Sequence, residues 1–176
     1  MDKSDHIRDV YAHFGLAMYL AQCLEQSIFI HLMFFDFFPK NINTFKDPTH
    51  WEQEFNKYES QELGKPMGRL IQKMKDAGQP TDEIKAMLST ALLQRNRLAH
   101  TYFSEQSFNF MSKDGRDEMI SELESIQNQF RATMKIIDST SEPLAHHYGL
   151  TEEIQKKLRD EMLKDHLKAK KHKSSD

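Results

Sequence analysis

Residues 94–103 read QRNRLAHTYF. Between positions 95 and 102 this stretch supplies two guanidiniums, an amide, an imidazole and a phenol. A guanidinium holds a phosphate with a planar fork of donors. An imidazole moves protons near neutral pH. Side by side they suit an anionic ester and proton transfer around it. The stretch ends a segment whose apolar residues, Ile84, Leu88, Ala91 and Leu98, follow helical spacing. At about 100° per residue, continuing that row brings Arg95 onto the core-facing side, ahead of Leu98 and Tyr102. Asn96 and His100 are four apart and neighbour each other on an adjoining face. Arg97 points the other way.

A charge facing a core is costly unless it is paired or opens into a cleft. Two readings of Arg95 follow. It is half of a structural ion pair, with Glu25 the obvious partner, or it lines a wet groove that binds an anion.

The elements that must position these residues read as helices throughout. Valine occurs once, at Val10, and no segment alternates as a strand does. In the first helix Val10, Phe14, Ala17, Ala21, Leu24, Ile28, His31 and Phe35 form a 4-3-4-3 stripe, and Pro39 is expected to stop it. A flanking row of Tyr11, Met18 and Leu32 has Glu25 as its odd member. Residues 40–50 read as a loop. Thr49 and Glu52 fit a capping box, and LGKPMG interrupts the helix that follows. Another helical stretch runs to about Lys75, and a further one starts near Thr81. A loop is expected at 104–114, then a helix with Met119, Leu123, Ile126, Phe130 and Ile137 inward. STSEP is expected to interrupt the chain near 139–143, and Thr151 to cap a last helix. The class is all-α: a helical bundle of about four to six helices with the first, third and fourth long. The domain is expected over 1–150, with a C-terminal helix and basic tail over 151–176.

The residues RNRLAHTY match R-x4-H-x-Y, with Asn directly after the first arginine. This resembles the signature of the HEPN superfamily, in the form found in R-x4-H-x-Y HEPN toxins. The resemblance covers residues 95–102 in motif and roughly 6–148 in architecture. It implies a metal-independent endoribonuclease, acting as a homodimer on RNA, of the toxin or phage-defence kind. It assigns catalysis to Arg95 and His100. In support, Asn96 would orient the imidazole, and Tyr102 would bind phosphate or position the arginine. Toxins of this kind encoded with a nucleotidyltransferase antitoxin are adenylylated on the tyrosine, which makes Tyr102 a candidate modification site and such an antitoxin a candidate partner. A non-catalytic HEPN-like module binding RNA, nucleotide or a protein is the alternative. A plain helical dimerisation protein, with Arg95 in a structural pair, is a third.

The remaining composition narrows the field. The 176 residues are 38% apolar and 29% charged, with a formal net charge of −3. Residues 164–173, KDHLKAKKHK, hold five lysines and one aspartate. Lys168, Lys170 and Lys171, with Arg97, are therefore candidate RNA contacts by counterion release; a solvated, frayed terminus is the competing reading. The single cysteine, Cys23, excludes a disulfide within one chain. No H-E-x-x-H and no phosphate-loop motif occurs, so neither a metal nor a nucleotide cofactor is expected. The greasiest run, Phe29–Phe38, is too short to span a bilayer and supplies either dimer surface or intrachain core. With no signal segment at the start, the expected location is cytoplasmic.

Overall fold

The computed structural model describes residues 3–79 and 82–173, so the helix start expected at Thr81 lies outside the described residues. Among them the chain is all-helical, with no strand. It divides into two compact units, Met1–Thr140 and Ser141–Asp176, a division ten residues before the boundary expected from the sequence.

In the first unit α1 spans Lys3–Leu32 and runs into a π turn, Met33–Phe37, then α2, Phe38–Asn41, and a 3-10 turn, Ile42–Thr44. Four helices follow: α3 (Pro48–Glu62), α4 (Met67–Asp76), α5 (Asp82–His100) and α6 (Tyr102–Glu105). Then come α7 (Ser107–Met111) and α8 (Lys113–His147), whose residues from Ser141 on belong to the second unit. The apolar stripes meet in one core. Val10, Ala17, Ala21, Leu24 and Ile28 of α1 are buried with Leu70 and Met74 of α4. Leu88, Ala91 and Leu98 of α5 and Met119, Leu123, Ile126, Phe130 and Ile137 of α8 complete it. A fully buried side chain of this size stabilises the fold by about 1.5–3 kcal/mol. Each of these rows therefore outweighs the modest helix propensity of its own segment.

Four local expectations are corrected. Pro39 does not stop the first helix but sits in the first turn of α2. The Phe38 N–H reaches back to the Met33 carbonyl, an i→i+5 bond that widens the turn just where the proline ring would otherwise crowd residue 35. The extra residue resets the side-chain phase, so Phe34, Asp36 and Phe37 are buried and Phe35 is only half-buried. The cap of α3 is Asp47, whose Oδ1 accepts from the His50 N–H at 2.8 Å, with Pro48 in the first turn; Thr49 is already helical. The stretch 104–114 is not a loop, since α6 and α7 occupy most of it. The chain continues helically through STSEP. Pro143 lacks the N–H that would bond the Ser139 carbonyl, and the break between the two units lies beside this weak point.

In the second unit α9 spans Glu152–Lys173. Its cap is the expected one, the Thr151 Oγ1 accepting from the Ile154 N–H at 3.4 Å. The tail is thus helical rather than frayed to Lys173, and no residue of 151–168 is buried. Among the described residues no helix is long and apolar enough to cross a membrane.

Candidate functional site

Arg95 lies where its row predicts, between the buried Ala91 and Leu98 of α5. It is neither sealed in nor free: its side chain keeps 27% of its exposure. Its Nε is 3.2 Å from Glu25 Oε1 on α1, and Glu25 is 23% exposed. That oxygen is itself shut off from solvent and accepts no hydrogen bond. The pair is a Coulombic contact without a directional bond. Arg95 Nη1 also donates to the Asn96 Oδ1 at 3.3 Å.

His100 is the last residue of α5 and is exposed. It lies five positions after Arg95, about 140° around the helix and about 7.5 Å along it. Asn96, also exposed, turns its amide oxygen to Arg95, so it does not orient the imidazole in this arrangement. The end of α5 therefore presents a cation matched by a carboxylate and, on another side of the helix, an imidazole open to solvent.

Two other residues of the motif are placed differently from expectation. Tyr102 begins α6 after Thr101 breaks the helix, and it is 1% exposed. Its Oη donates to the Met119 carbonyl at 3.3 Å. Its ring packs on Phe14 and Phe103, at centroid distances of 5.7 and 5.5 Å. Burial first, then Glu122, pushes the phenol well above its usual range, with Arg97 working against them. Tyr102 is a core residue here; neither phosphate contact nor modification reaches its hydroxyl without opening the fold.

Arg97, a candidate RNA contact, is taken up by two carboxylates. Its Nε is 2.5 Å from Glu105 Oε2 and its Nη1 is 2.6 Å from Glu122 Oε1, and its guanidinium lies 5.2 Å from the centre of the Tyr102 ring. Burial opposes its charge, but Glu122 and Glu105 outweigh that and raise its pKa. Thr101 also donates to Glu105, and Gln106 to Glu122 at 2.8 Å. The second arginine of the motif is thus a brace joining α5, α6 and α8.

The lysines of the tail lie on α9 in the second unit. Lys168 is exposed and pairs with Asp165 at 3.3 Å, Lys170 is exposed, and the Lys171 side chain lies outside the described residues. The run Phe29–Phe38 is mostly intrachain core: Phe29, Phe34 and Phe37 are all buried. It does not furnish a dimer surface as a whole.

Two buried charge clusters lie outside the motif. Arg116, 4% exposed, donates through Nε to His6 Nδ1 at 3.3 Å and through Nη1 to the Phe110 carbonyl at 2.9 Å. His6 Nε2 lies 2.9 Å from Asp117 Oδ1. This Arg–His pair ties the start of α1 to α7 and α8 across 110 residues of chain, a separation no motif search spans. At the π turn, Lys73 sits between two buried carboxylates, 3.1 Å from Asp36 Oδ2 and 2.6 Å from Glu62 Oε1. Tyr58 donates to Asp36 at 3.1 Å, and Lys40 and Lys65 close the cluster. Burial would raise both acids, but Lys40 and Lys73 at Asp36, and Lys65 and Lys73 at Glu62, hold them below the usual carboxylate range. A cleft of about 460 Å³ opens beside Asp36, Lys40 and Lys73. The local clue was the i, i+4 pair Asp36–Lys40 and the i, i+3 pair Glu62–Lys65. Among the described residues no three His, Cys, Asp or Glu side chains stand close enough to hold a metal ion.

Compared with known protein families, with characterised proteins and with solved structures, the chain shows no match to any.

Proposed function

We propose that this protein is a HEPN-type, metal-independent endoribonuclease that works as a homodimer, in the manner of a toxin or phage-defence effector. One observation carries the reading: a guanidinium set in an apolar helix row stays within reach of solvent, with a solvent-open imidazole five positions further along the same helix. In the reaction the RNA 2′-hydroxyl loses a proton and attacks the adjacent phosphorus. The bond to the 5′-oxygen breaks, and that oxygen takes up a proton, leaving a 2′,3′-cyclic phosphate and a 5′-hydroxyl. His100 moves protons, and Arg95 holds the phosphoryl oxygens as negative charge grows on them. A phosphate reaching Arg95 competes with Glu25 for the same guanidinium. A two-fold pairing of copies doubles the set.

The second reading, a helical module that binds without cutting, is favoured by the charge match between Arg95 and Glu25 and by Asn96 facing Arg95 rather than His100. The role of a nucleotidyltransferase partner at Tyr102 has lost its main support, because that hydroxyl is buried. The test is cleavage of end-labelled single-stranded RNA in EDTA, with His100→Ala and Arg95→Ala compared at matched circular dichroism. The nuclease reading requires cyclic-phosphate ends from the wild type and none from either variant. Binding without cleavage by the wild type selects the module, and neither binding nor cleavage overturns both.

A further inference from the structure

From Val10 to Phe35 the chain contains one Asp, Glu, Lys or Arg, namely Glu25, and that residue is taken up by Arg95. This is unusual in a protein that is 29% charged, because most of one side of α1 faces solvent. Ala12, Gly15, Leu16, Tyr19, Gln22, Gln26 and Ile30 are exposed, and Cys23 is half-exposed. At 100° and 1.5 Å per residue, all eight fall within about 60° of Tyr19, along about 27 Å of helix. Tyr19 is 61% exposed and Ile30 48%. The solvent side of α8 looks different: it carries Asp114, Asp117, Glu118, Glu124, Arg131 and Lys135, all exposed.

Gly15 adds an independent observation. It stands in the interior of a 30-residue helix, where glycine weakens the helix. A Cβ placed on it would meet nothing within 4 Å. The chain's own packing therefore gives no reason for the missing side chain. A second backbone approaching this face from outside does give one, since small residues let helices pack closely.

We infer that this uncharged face of α1 is where a second copy of the chain docks, helix against helix across a two-fold axis with Gly15 at the point of closest approach. The occupant follows from what the face lacks and what it carries. Nucleic acid or an acidic or basic surface needs charge to hold it, and a membrane surface needs flanking cations; from Ala12 to Ile30 the face carries no charge, and Arg8, the cation that precedes it on the same side of the helix, is paired with Asp5. A two-fold contact sets this patch against its own copy, residue i on j and j on i, so a patch without charge is compatible with itself. Glutamine amides and tyrosine hydroxyls each contain both donor and acceptor, so Gln22, Gln26 and Tyr19 can pair with one another across the contact. A standard interface takes roughly 800 Å² from each partner; the stripe provides its centre, and the half-exposed Tyr11 extends it. Glu25 follows Gln22 by three residues, so the Arg95–Glu25 pair of each copy borders this interface.

This names the face for the dimer proposed above, and it is read by mass rather than by cleavage, so the two proposals fail separately. Sedimentation velocity of the full chain at about 100 µM is expected to give twice the 20.7 kDa of one chain. Tyr19→Glu is expected to raise the dissociation constant at least 100-fold, read as a shift of mass toward the monomer across a dilution series from that concentration. Gly15→Ala, which leaves the monomer unhindered, is expected to weaken the dimer about 10-fold. Leu93→Glu, at an exposed apolar site on the side of α5 away from Arg95, is expected to leave the mass unchanged. A monomeric wild type at that concentration overturns the inference, and so does a dimer indifferent to both α1 substitutions. Circular dichroism and the Gly15→Ala result keep the test decisive if Tyr19→Glu misfolds.

Discussion

Arg95 and Arg97 are two residues apart in one motif, and the structure gives them opposite work. Replacing Arg97 with Met keeps most of the aliphatic packing and deletes the charge. Lost with it are contacts of 2.5 and 2.6 Å to Glu105 and Glu122 and the cation–π contact to Tyr102. Charge-assisted hydrogen bonds contribute about 1.5–3 kcal/mol when well enclosed, but exposed pairs only about 0.2–1. Glu105 is 45% exposed and Glu122 34%, so the lower range applies to the first and an intermediate value to the second. With about 0.5–1 kcal/mol for the ring contact, the sum is about 2–3 kcal/mol. For a chain of this size that lowers the melting temperature by about 5–10 °C. Arg95→Met breaks a pair that has no directional hydrogen bond and is expected to cost under about 1 kcal/mol. Urea titrations followed by circular dichroism measure both. If Arg95→Met costs more than Arg97→Met, the division of labour argued here is wrong.

Three further outcomes are expected. Glu25→Gln unmasks Arg95 and should tighten binding of an uncleavable oligodeoxynucleotide about 5-fold, a change of about 1 kcal/mol; unchanged or weaker binding would mean that Glu25 orients Arg95 rather than competing for it. His31 is buried, and desolvation, only partly offset by a hydrogen bond with the Ile137 backbone, lowers its pKa from 6.5 to about 4. Between those values the unfolded chain takes up a proton that the folded chain refuses, so stability falls with acid. The loss from pH 7 to pH 5 is about 2 kcal/mol, and equal pH slopes for wild type and His31→Leu would refute it. A Cβ on Gly115 would collide with the Asn109 backbone, so Gly115→Ala should destabilise by about 2 kcal/mol or more, visible as a lower urea midpoint.

What the residues disclosed in advance was whatever depends on periodicity. The rows of α1, α5 and α8 were legible because a 3.6-residue period survives in the choice of apolar residues, and Val10, Leu88 and Leu123 are buried as that period requires. The Arg95–Glu25 contact was legible because each is the misfit of its own apolar row. Phase failed after Leu32, because the π turn inserts a residue that no composition announces. Tyr102 is buried on the core-facing row where the period put it; what the burial goes against is the phosphate or modification role implied by the resemblance. The pairing of His6 with Arg116 and of Glu62 with Lys73 depends on how distant segments meet, which one chain's local pattern does not encode.

The widened turn at Met33–Phe37 acts on side-chain direction much as a frameshift acts on a message. Upstream of it, a simple repeat sends hydrocarbon to the interior; downstream, the altered frame delivers a carboxylate to the same side. Deleting one residue there would restore the upstream frame and swing Asp36 outward. Lys73 and Glu62 would then face each other without the third member that balances them, and both flanking helices would lose their common anchor.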